Sequence, residues 1–294
     1  MYKNIYTGYI TENKVRDIYI LIILRIFNIM ELTTNNTKYS IATIDTKRGR
    51  RRDKQIIYID DPDNTNDHDE EQIYEQRITV PKKELLIPRD MNSSVFPLPT
   101  FEEDSSDSIY ISGPRRSGKS TWIANFIREY HRKYPKNNVI ILSACKDDPA
   151  FGQIPYLKRI DPDELIEDPL DLEELGKSLI IFDDYENFSK EVNEVVANLR
   201  NEILNNGRKL RISIIIAQHI TFDYRRTRVQ LFECESYVIF PKSGNINMLN
   251  RLFNTYLGLP KDKVKKIMEF PSRWVFIKKS YPKYAIHAKG IMLL

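Results

Sequence analysis

Between Ser108 and Tyr130 the chain reads as a strand, a glycine turn and a helix in immediate succession, and the turn constrains the fold more than any other stretch. It reads Gly113-Pro-Arg-Arg-Ser-Gly118-Lys119-Ser120, the spacing G-x-x-x-x-G-K-[ST]. On its amino side, Ser108-Ile-Tyr-Ile-Ser112 is a short apolar run of buried-strand type. On its carboxyl side, Trp122, Phe126 and Tyr130, with Ile123 and Ile127, recur at helical spacing on one face. A turn of this kind at a helix N-terminus aims backbone N–H groups into a concavity, which places partial positive charge around an anion without desolvating a side chain. The pattern predicts a P-loop, cradling the phosphates of a nucleoside triphosphate with Gly113, Pro114, Arg115, Arg116, Ser117, Gly118, Lys119, Ser120 and Thr121. Gly113 and Gly118 permit the turn. Lys119 is the charge for the β- and γ-phosphates, and the Ser120 hydroxyl is a ligand of Mg²⁺. Pro114 has no N–H, so one donor of the cradle must come from elsewhere.

After the helix, strand and helix signals alternate, as in a mainly parallel sheet covered by helices. Asn138-Val-Ile-Ile-Leu-Ser143, Ser178-Leu-Ile-Ile-Phe182, Arg211-Ile-Ser-Ile-Ile-Ile216 and Tyr237-Val-Ile-Phe240 are the expected parallel strands. A helix with Val192, Val195, Val196, Leu199 and Ile203 on one face is expected to stop at Gly207 as a C-cap. The second of these strands ends in Asp183-Asp184. An apolar strand delivering a carboxylate to its C-terminal tip is the Walker B arrangement, with Asp183 holding the magnesium ion beside Ser120. Hydrolysis also needs a group that orients or deprotonates water; Asp184 is the leading candidate and Glu186 the reserve.

Taken together, Asp183-Asp184 after an apolar strand, a helix closing on Gly207-Arg208-Lys209, and Ile212-Ser-Ile-Ile-Ile-Ala-Gln218 resemble the FtsK-HerA group of DNA-pumping ATPases. In particular they are similar to the poxvirus-type genome-packaging ATPases of large nucleocytoplasmic DNA viruses and virophages. The resemblance runs from about Ser108 to Phe240 and includes Arg225-Arg-Thr-Arg228 before Tyr237-Val-Ile-Phe-Pro241. It departs at His219, where many relatives continue Arg-Pro, and at Asp184, which stands where cellular relatives carry glutamate. It implies ATP hydrolysis coupled to translocation of double-stranded DNA, for packaging a viral genome, by a homo-oligomeric ring with a capsid or portal protein as a further partner. It implies that Gln218 is a sensor of the γ-phosphate. It also implies an arginine supplied across the subunit boundary, with Arg208 the first candidate and Arg225, Arg226 and Arg228 competing. Two other classes share the P-loop: a nucleotide or small-molecule kinase, and an interaction module that keeps the loop without hydrolysis. No arginine-rich lid insertion favours the first, and intact Lys119, Ser120 and Asp183 argue against the second.

With 294 residues, 41% hydrophobic and 29% charged, the chain accommodates one large α/β domain with extensions. We place that domain at residues 100–294, ending in a helical pair and a β-hairpin. The pair comprises an amphipathic helix bearing Ile246, Leu249, Leu252, Phe253, Tyr256 and Leu257, and a helix crowded with Lys261, Lys263, Lys265 and Lys266. The hairpin joins Trp274–Ile277 to Tyr284–Ala288. Residues 32–99 are expected to form a charged, partly disordered arm with short edge strands at Gln55–Ile59 and Glu84–Ile87. That arm holds the basic cluster Lys47–Lys54 and the polar stretch Asp60–Glu71. Residues 1–31 are an apolar extension whose run from Ile18 is broken by Arg25 and Asn28, shorter than the ~20 residues of a membrane span. Met30 is an alternative start. The net charge of +4 neither demands nor excludes nucleic acid. Two cysteines, Cys145 and Cys234, suggest neither a disulfide framework nor a metal site. The cysteine usage points to an intracellular protein, and the resemblance implies one in the host cytoplasm or viral factory, or associated with the virion.

Overall fold

The computed structural model describes residues 31–33, 39–48, 51–60, 85–87, 93–100, 106–145, 147–221, 223 and 227–294. The extension before Met30, the stretch 61–71, and Arg225 and Arg226 lie outside them. In chain order the strands are β1 (Glu31–Thr33), β2 (Tyr39–Arg48), β3 (Arg51–Asp60), β4 (Leu85–Leu86), β5 (Ser93–Pro97) and β6 (Ser108–Ser112). Helix α1 (Lys119–Lys133) precedes β7 (Asn138–Ser143), β8 (Leu157–Arg159), α2 (Glu164–Glu167), β9 (Ser178–Asp183), α3 (Lys190–Asn206) and β10 (Ser213–Gln218). Then come α4 (Arg228–Glu233), β11 (Ser236–Ile239), α5 (Ile246–Arg251), α6 (Lys261–Glu269), β12 (Val275–Lys278), β13 (Tyr284–His287) and β14 (Gly290–Leu293).

The central sheet has ten strands in the order β4-β14-β13-β12-β11-β6-β10-β9-β7-β8. The six from β11 to β8 are parallel and the remaining pairings antiparallel. All six residues of β9 and of β10 are buried, as expected of parallel strands covered on both faces, whose sequence is apolar throughout rather than alternating. The two-residue period still divides the side chains between two cores. Tyr110, Ile140, Leu142, Ile180, Phe182, Ile214 and Ile216 pack with α3 and the C-terminal helices. Ile109, Ile111, Val139, Ile141, Leu179, Ile181, Ile215 and Ala217 pack with α1 on the other face.

That second core also takes in Ile41, Ala42, Ile44, Ile57, Ile59 and Val95. They belong to a four-stranded antiparallel sheet, β1-β3-β2-β5, built from the stretch where only short edge strands were expected. β2 and β3 are ten residues each. Trp122 of α1 joins this sheet to the central one: its ring lies 5.3 Å from Phe96, 5.4 Å from Phe126 and 6.3 Å from both Trp274 and Phe276. The Lys54 ammonium sits 2.8 Å from a Glu129 carboxylate oxygen across the same junction.

Two local expectations change in detail. Helix α3, capped at its start by the Ser189 hydroxyl accepting from Val192 N–H at 3.3 Å, does end at Gly207, but with ordinary right-handed backbone there. The chain runs on as a 3₁₀ turn, Gly207–Leu210, and the left-handed residue is Arg211 at φ 58°. Glycine is needed at 207 for closeness instead: a Cβ would stand 3.1 Å from Ile203 Cγ2 and 3.3 Å from Ile212 Cβ. At the C-terminus the expected hairpin is a three-stranded meander, β12-β13-β14, that extends the central sheet through β11. Among the described residues no helix is long and apolar enough to cross a membrane.

Candidate nucleotide site

The P-loop leaves the tip of β6 and is tied at once to the neighbouring strand, where Gly113 N–H donates to Gln218 O at 3.2 Å. Ser117 N–H closes a turn onto Pro114 O at 3.2 Å. Gly118 adopts φ 112°, a conformation L side chains rarely reach, and directly precedes α1. The first helical hydrogen bond is Trp122 N–H to Gly118 O at 3.0 Å, so the amides ahead of it have no partner within the helix and open onto the loop. Phe240, at the end of β11, lies against this turn: a Cβ on Gly113 would stand 2.7 Å from its Cδ2 and 2.8 Å from Ser117 Oγ. Arg115, Arg116 and Thr121 are exposed, Ser117 is buried, and Pro114 and Ser120 are half-buried. Sequence reasoning missed Arg273, which donates to Arg116 O at 3.0 Å from 157 residues away.

Lys119 is buried, with Nζ donating to Gly113 O at 3.0 Å and standing 3.0 Å from His219 Nδ1. The other imidazole nitrogen, Nε2, is 3.0 Å from Asp184 Oδ1. One imidazole therefore bridges the P-loop lysine and the second acid of Asp183-Asp184. Asp184 sits at φ 48°, a left-handed position aspartate tolerates better than most residues, and this turns the chain sharply at the tip of β9. Asp183 is only 2% exposed and its Oδ2 lies 3.5 Å from the Ser143 hydroxyl. Burial first, and the Asp184 carboxylate second, push its carboxyl up to about 7 against the opposing pull of Lys119.

The sheet register brings the remaining expectations together or apart. β10 lies between β6 and β9, with Gln218 beside Ser112 and Ala217 beside Asp183, so Gln218 does sit at the tip between the P-loop strand and the acid strand. Its side chain, however, is held internally: Oε1 is 2.9 Å from the Tyr110 hydroxyl and Nε2 donates to the Tyr185 hydroxyl. Arg208 is exposed in the 3₁₀ turn that leads into β10, at the opposite end of a strand ~20 Å long. It stays away from the P-loop of its own chain. Arg228 opens α4 with its guanidinium 5.9 Å from the Phe232 ring, and the Glu186 side chain lies outside the described residues.

Residues 105–217 match the family described as an AAA domain, the stretch that contains the P-loop and the acid pair. The uncharacterized protein V3 of Sputnik virophage is 32% identical over 216 residues, which span 72% of this chain and 85% of V3. The chain is a P-loop ATPase and belongs to the V3 family. Solved structures similar to it in outline include the genome packaging NTPase B204 of Sulfolobus turreted icosahedral virus 2 in complex with ATP-gammaS (TM-score 0.42, 16% identity, 64% of this chain and 98% of that one). They also include the pCW3 conjugation coupling protein TcpA (0.45, 14%, 94% and 81%) and the cytoplasmic domain of the Thermomonospora curvata Type VII secretion ATPase EccC (0.44, 13%, 66% and 27%).

The residues of this V3-family ATPase suit a triphosphate. The left-handed Gly118 turns the chain into α1, the helix-start amides face the loop, and among the described residues the buried Ser112 and Ser117 hydroxyls have no hydrogen-bond partner. They also suit a divalent cation. A carboxylate raised by burial and then by its like-charged neighbour, on the strand two places from the P-loop strand, is an oxygen ligand whose charge a cation would compensate.

Proposed function

We propose that this V3-family ATPase hydrolyses ATP in the presence of Mg²⁺ and couples the reaction to movement of double-stranded DNA, packaging a viral genome into its capsid. The observation that carries the hydrolytic part is the convergence of Lys119, Asp183 and Asp184 on one end of the sheet, beside the left-handed Gly118 turn at the start of α1. Lys119 takes charge from the β- and γ-phosphates. Mg²⁺, held by the Ser120 hydroxyl and Asp183, would supply further neutralisation of the phosphate oxygens. Asp184, partly exposed at the strand tip, orients the attacking water and accepts its proton. Attack on the γ-phosphorus breaks the bond to the β,γ-bridging oxygen, giving ADP and phosphate.

The DNA part is supported by the resemblance of Gly207–Gln218 to DNA-pumping ATPases and by a family relative encoded by a virophage. Arg208 fits a role in trans. It is exposed and far from its own P-loop, so in a homo-oligomeric ring it is free to reach the γ-phosphate of a neighbour, where such an arginine is worth ~10³–10⁵ in rate. The reading places the protein inside the infected cell or in the virion, with a capsid or portal protein as its docking partner.

The test is ATP hydrolysis with and without double-stranded DNA on wild type, Lys119→Ala and Asp184→Asn. DNA-stimulated hydrolysis lost in both variants supports the proposal. Turnover that ignores DNA and requires a phosphate acceptor identifies a kinase, and no turnover at all identifies an interaction module.

A further inference from the structure

Gln218 is only 2% exposed and both ends of its amide are engaged, by the Tyr110 and Tyr185 hydroxyls. The Tyr110 hydroxyl is in turn 2.7 Å from Ile220 O, so the amide belongs to a buried network that fixes the end of β10. A side chain so placed can respond to a ligand only by breaking that network. The next residue is differently placed. The His219 side chain is 26% exposed, with Nδ1 3.0 Å from Lys119 Nζ and Nε2 3.0 Å from Asp184 Oδ1. Neither Nε2 nor Asp184 Oδ1 is exposed to solvent, and among the described residues neither makes a hydrogen bond, so the two meet at ion-pair distance without hydrogen-bond alignment.

These contacts locate the imidazole relative to a triphosphate. The P-loop lysine reaches the β- and γ-phosphates, and the water-orienting acid stands beside the γ-phosphorus. A side chain within 3.0 Å of both groups borders the space the γ-phosphate takes, and a diphosphate leaves that space empty. With Lys119 donating to Nδ1, the ring proton resides on Nε2, on the side of Asp184. We propose that His219, rather than Gln218, is the residue of this chain that reads the γ-phosphate. Without nucleotide it holds Lys119 and Asp184 together. When a triphosphate binds, Lys119 transfers from Nδ1 to phosphate oxygens, and the released imidazole turns its Nε2–H onto Asp184 Oδ1 and aligns it for water. His219 is thus a positioning residue for the hydrolysis proposed above, and the inference rests on that reading of the site.

The test pairs a binding measurement with a kinetic one on wild type, His219→Ala and His219→Gln, using displacement of a fluorescent nucleotide by ATPγS and by ADP. Wild type should prefer ATPγS. His219→Ala should bind ADP as wild type does, lose about 10-fold of the preference for ATPγS, and turn ATP over on the order of 10²-fold more slowly, with an unchanged melting temperature. Glutamine can accept from Lys119 through Oε1 and donate to Asp184 through Nε2, so His219→Gln should recover most of both losses. A wild type without triphosphate preference, or a His219→Ala variant that keeps it, overturns the proposal. So does a loss confined to Gln218→Ala. Because nucleotide preference is read without turnover, a wild type that discriminates through His219 yet never hydrolyses ATP sustains this inference while refuting the proposed function.

Discussion

The two glycines of the P-loop are there for different reasons, and one substitution separates them. Gly113 has no left-handed backbone; what it lacks is room, since an added Cβ would meet Phe240 Cδ2 at 2.7 Å and Ser117 Oγ at 2.8 Å. The serine hydroxyl can rotate away. The Phe240 ring is 1% exposed and must retreat by roughly 0.5–1 Å within a packed core, which costs about 1–3 kcal/mol. Gly118 has the opposite problem. Its nearest neighbour to an added Cβ is Phe240 Cε1 at 3.6 Å, ordinary contact, but its φ of 112° strains any L side chain by about 1–2 kcal/mol. Urea unfolding of Gly113→Ala and Gly118→Ala should therefore show similar losses. Phe240→Leu, which makes space, should give back about 1–2 kcal/mol of the Gly113→Ala loss as a coupling energy and none of the Gly118→Ala loss. ATPγS affinity should follow the same pattern, because the displaced ring lies directly against the phosphate turn. Equal rescue of both variants, or a Gly113→Ala protein as stable as wild type, would refute the steric account.

Three further outcomes follow from the packing and the charges. In chelator at pH 8, Asp183→Asn should stabilise the protein by on the order of 2 kcal/mol, because it removes a buried charge beside Asp184, while abolishing Mg²⁺-dependent hydrolysis; thermal melts and phosphate release check the two halves. His287 is buried, stacked 4.1 Å from the Phe270 ring, and burial lowers its pKa to about 4. Its folded form stays neutral where the unfolded form charges, so stability is full above about 6.5 and falls by up to about 3 kcal/mol as the pH drops to about 4; His287→Gln should flatten that part of the urea-unfolding profile. Trp122→Ala should cost about 3–5 kcal/mol by equilibrium unfolding, since the ring joins the amino-terminal sheet to α1; a loss under about 1 kcal/mol would show that the two sheets do not share a core.

What the sequence made legible was local. Ile-rich runs of five or six residues bounded by turn signals read as covered parallel strands, and Asp183 and Gln218, at the ends of two of them, were the expected Mg²⁺ ligand and γ-phosphate sensor before any strand order was known. The amino-terminal sheet was harder to read, because Ser40, Thr43 and Ser93 are buried there and interrupt the apolar alternation that signals a strand. β14 was missed because four residues after a tight turn carry little periodicity. The decisive polar contacts are long-range: Lys119 meets His219 across 100 residues, and Tyr110 meets Gln218 across 108. His219 stood out in the sequence only as a departure from a resemblance. Its two partners, and the buried clamp on Gln218, come from strand register rather than from any motif.

The most direct test of the account is displacement of a third strand from a DNA triplex by the purified protein, which reads movement along double-stranded DNA rather than hydrolysis alone. With ATP and Mg²⁺, wild type should release the strand, ATPγS should support little release, and Lys119→Ala and Arg208→Ala should release none. ATP hydrolysis at full rate with the triplex left intact would contradict coupling to DNA movement.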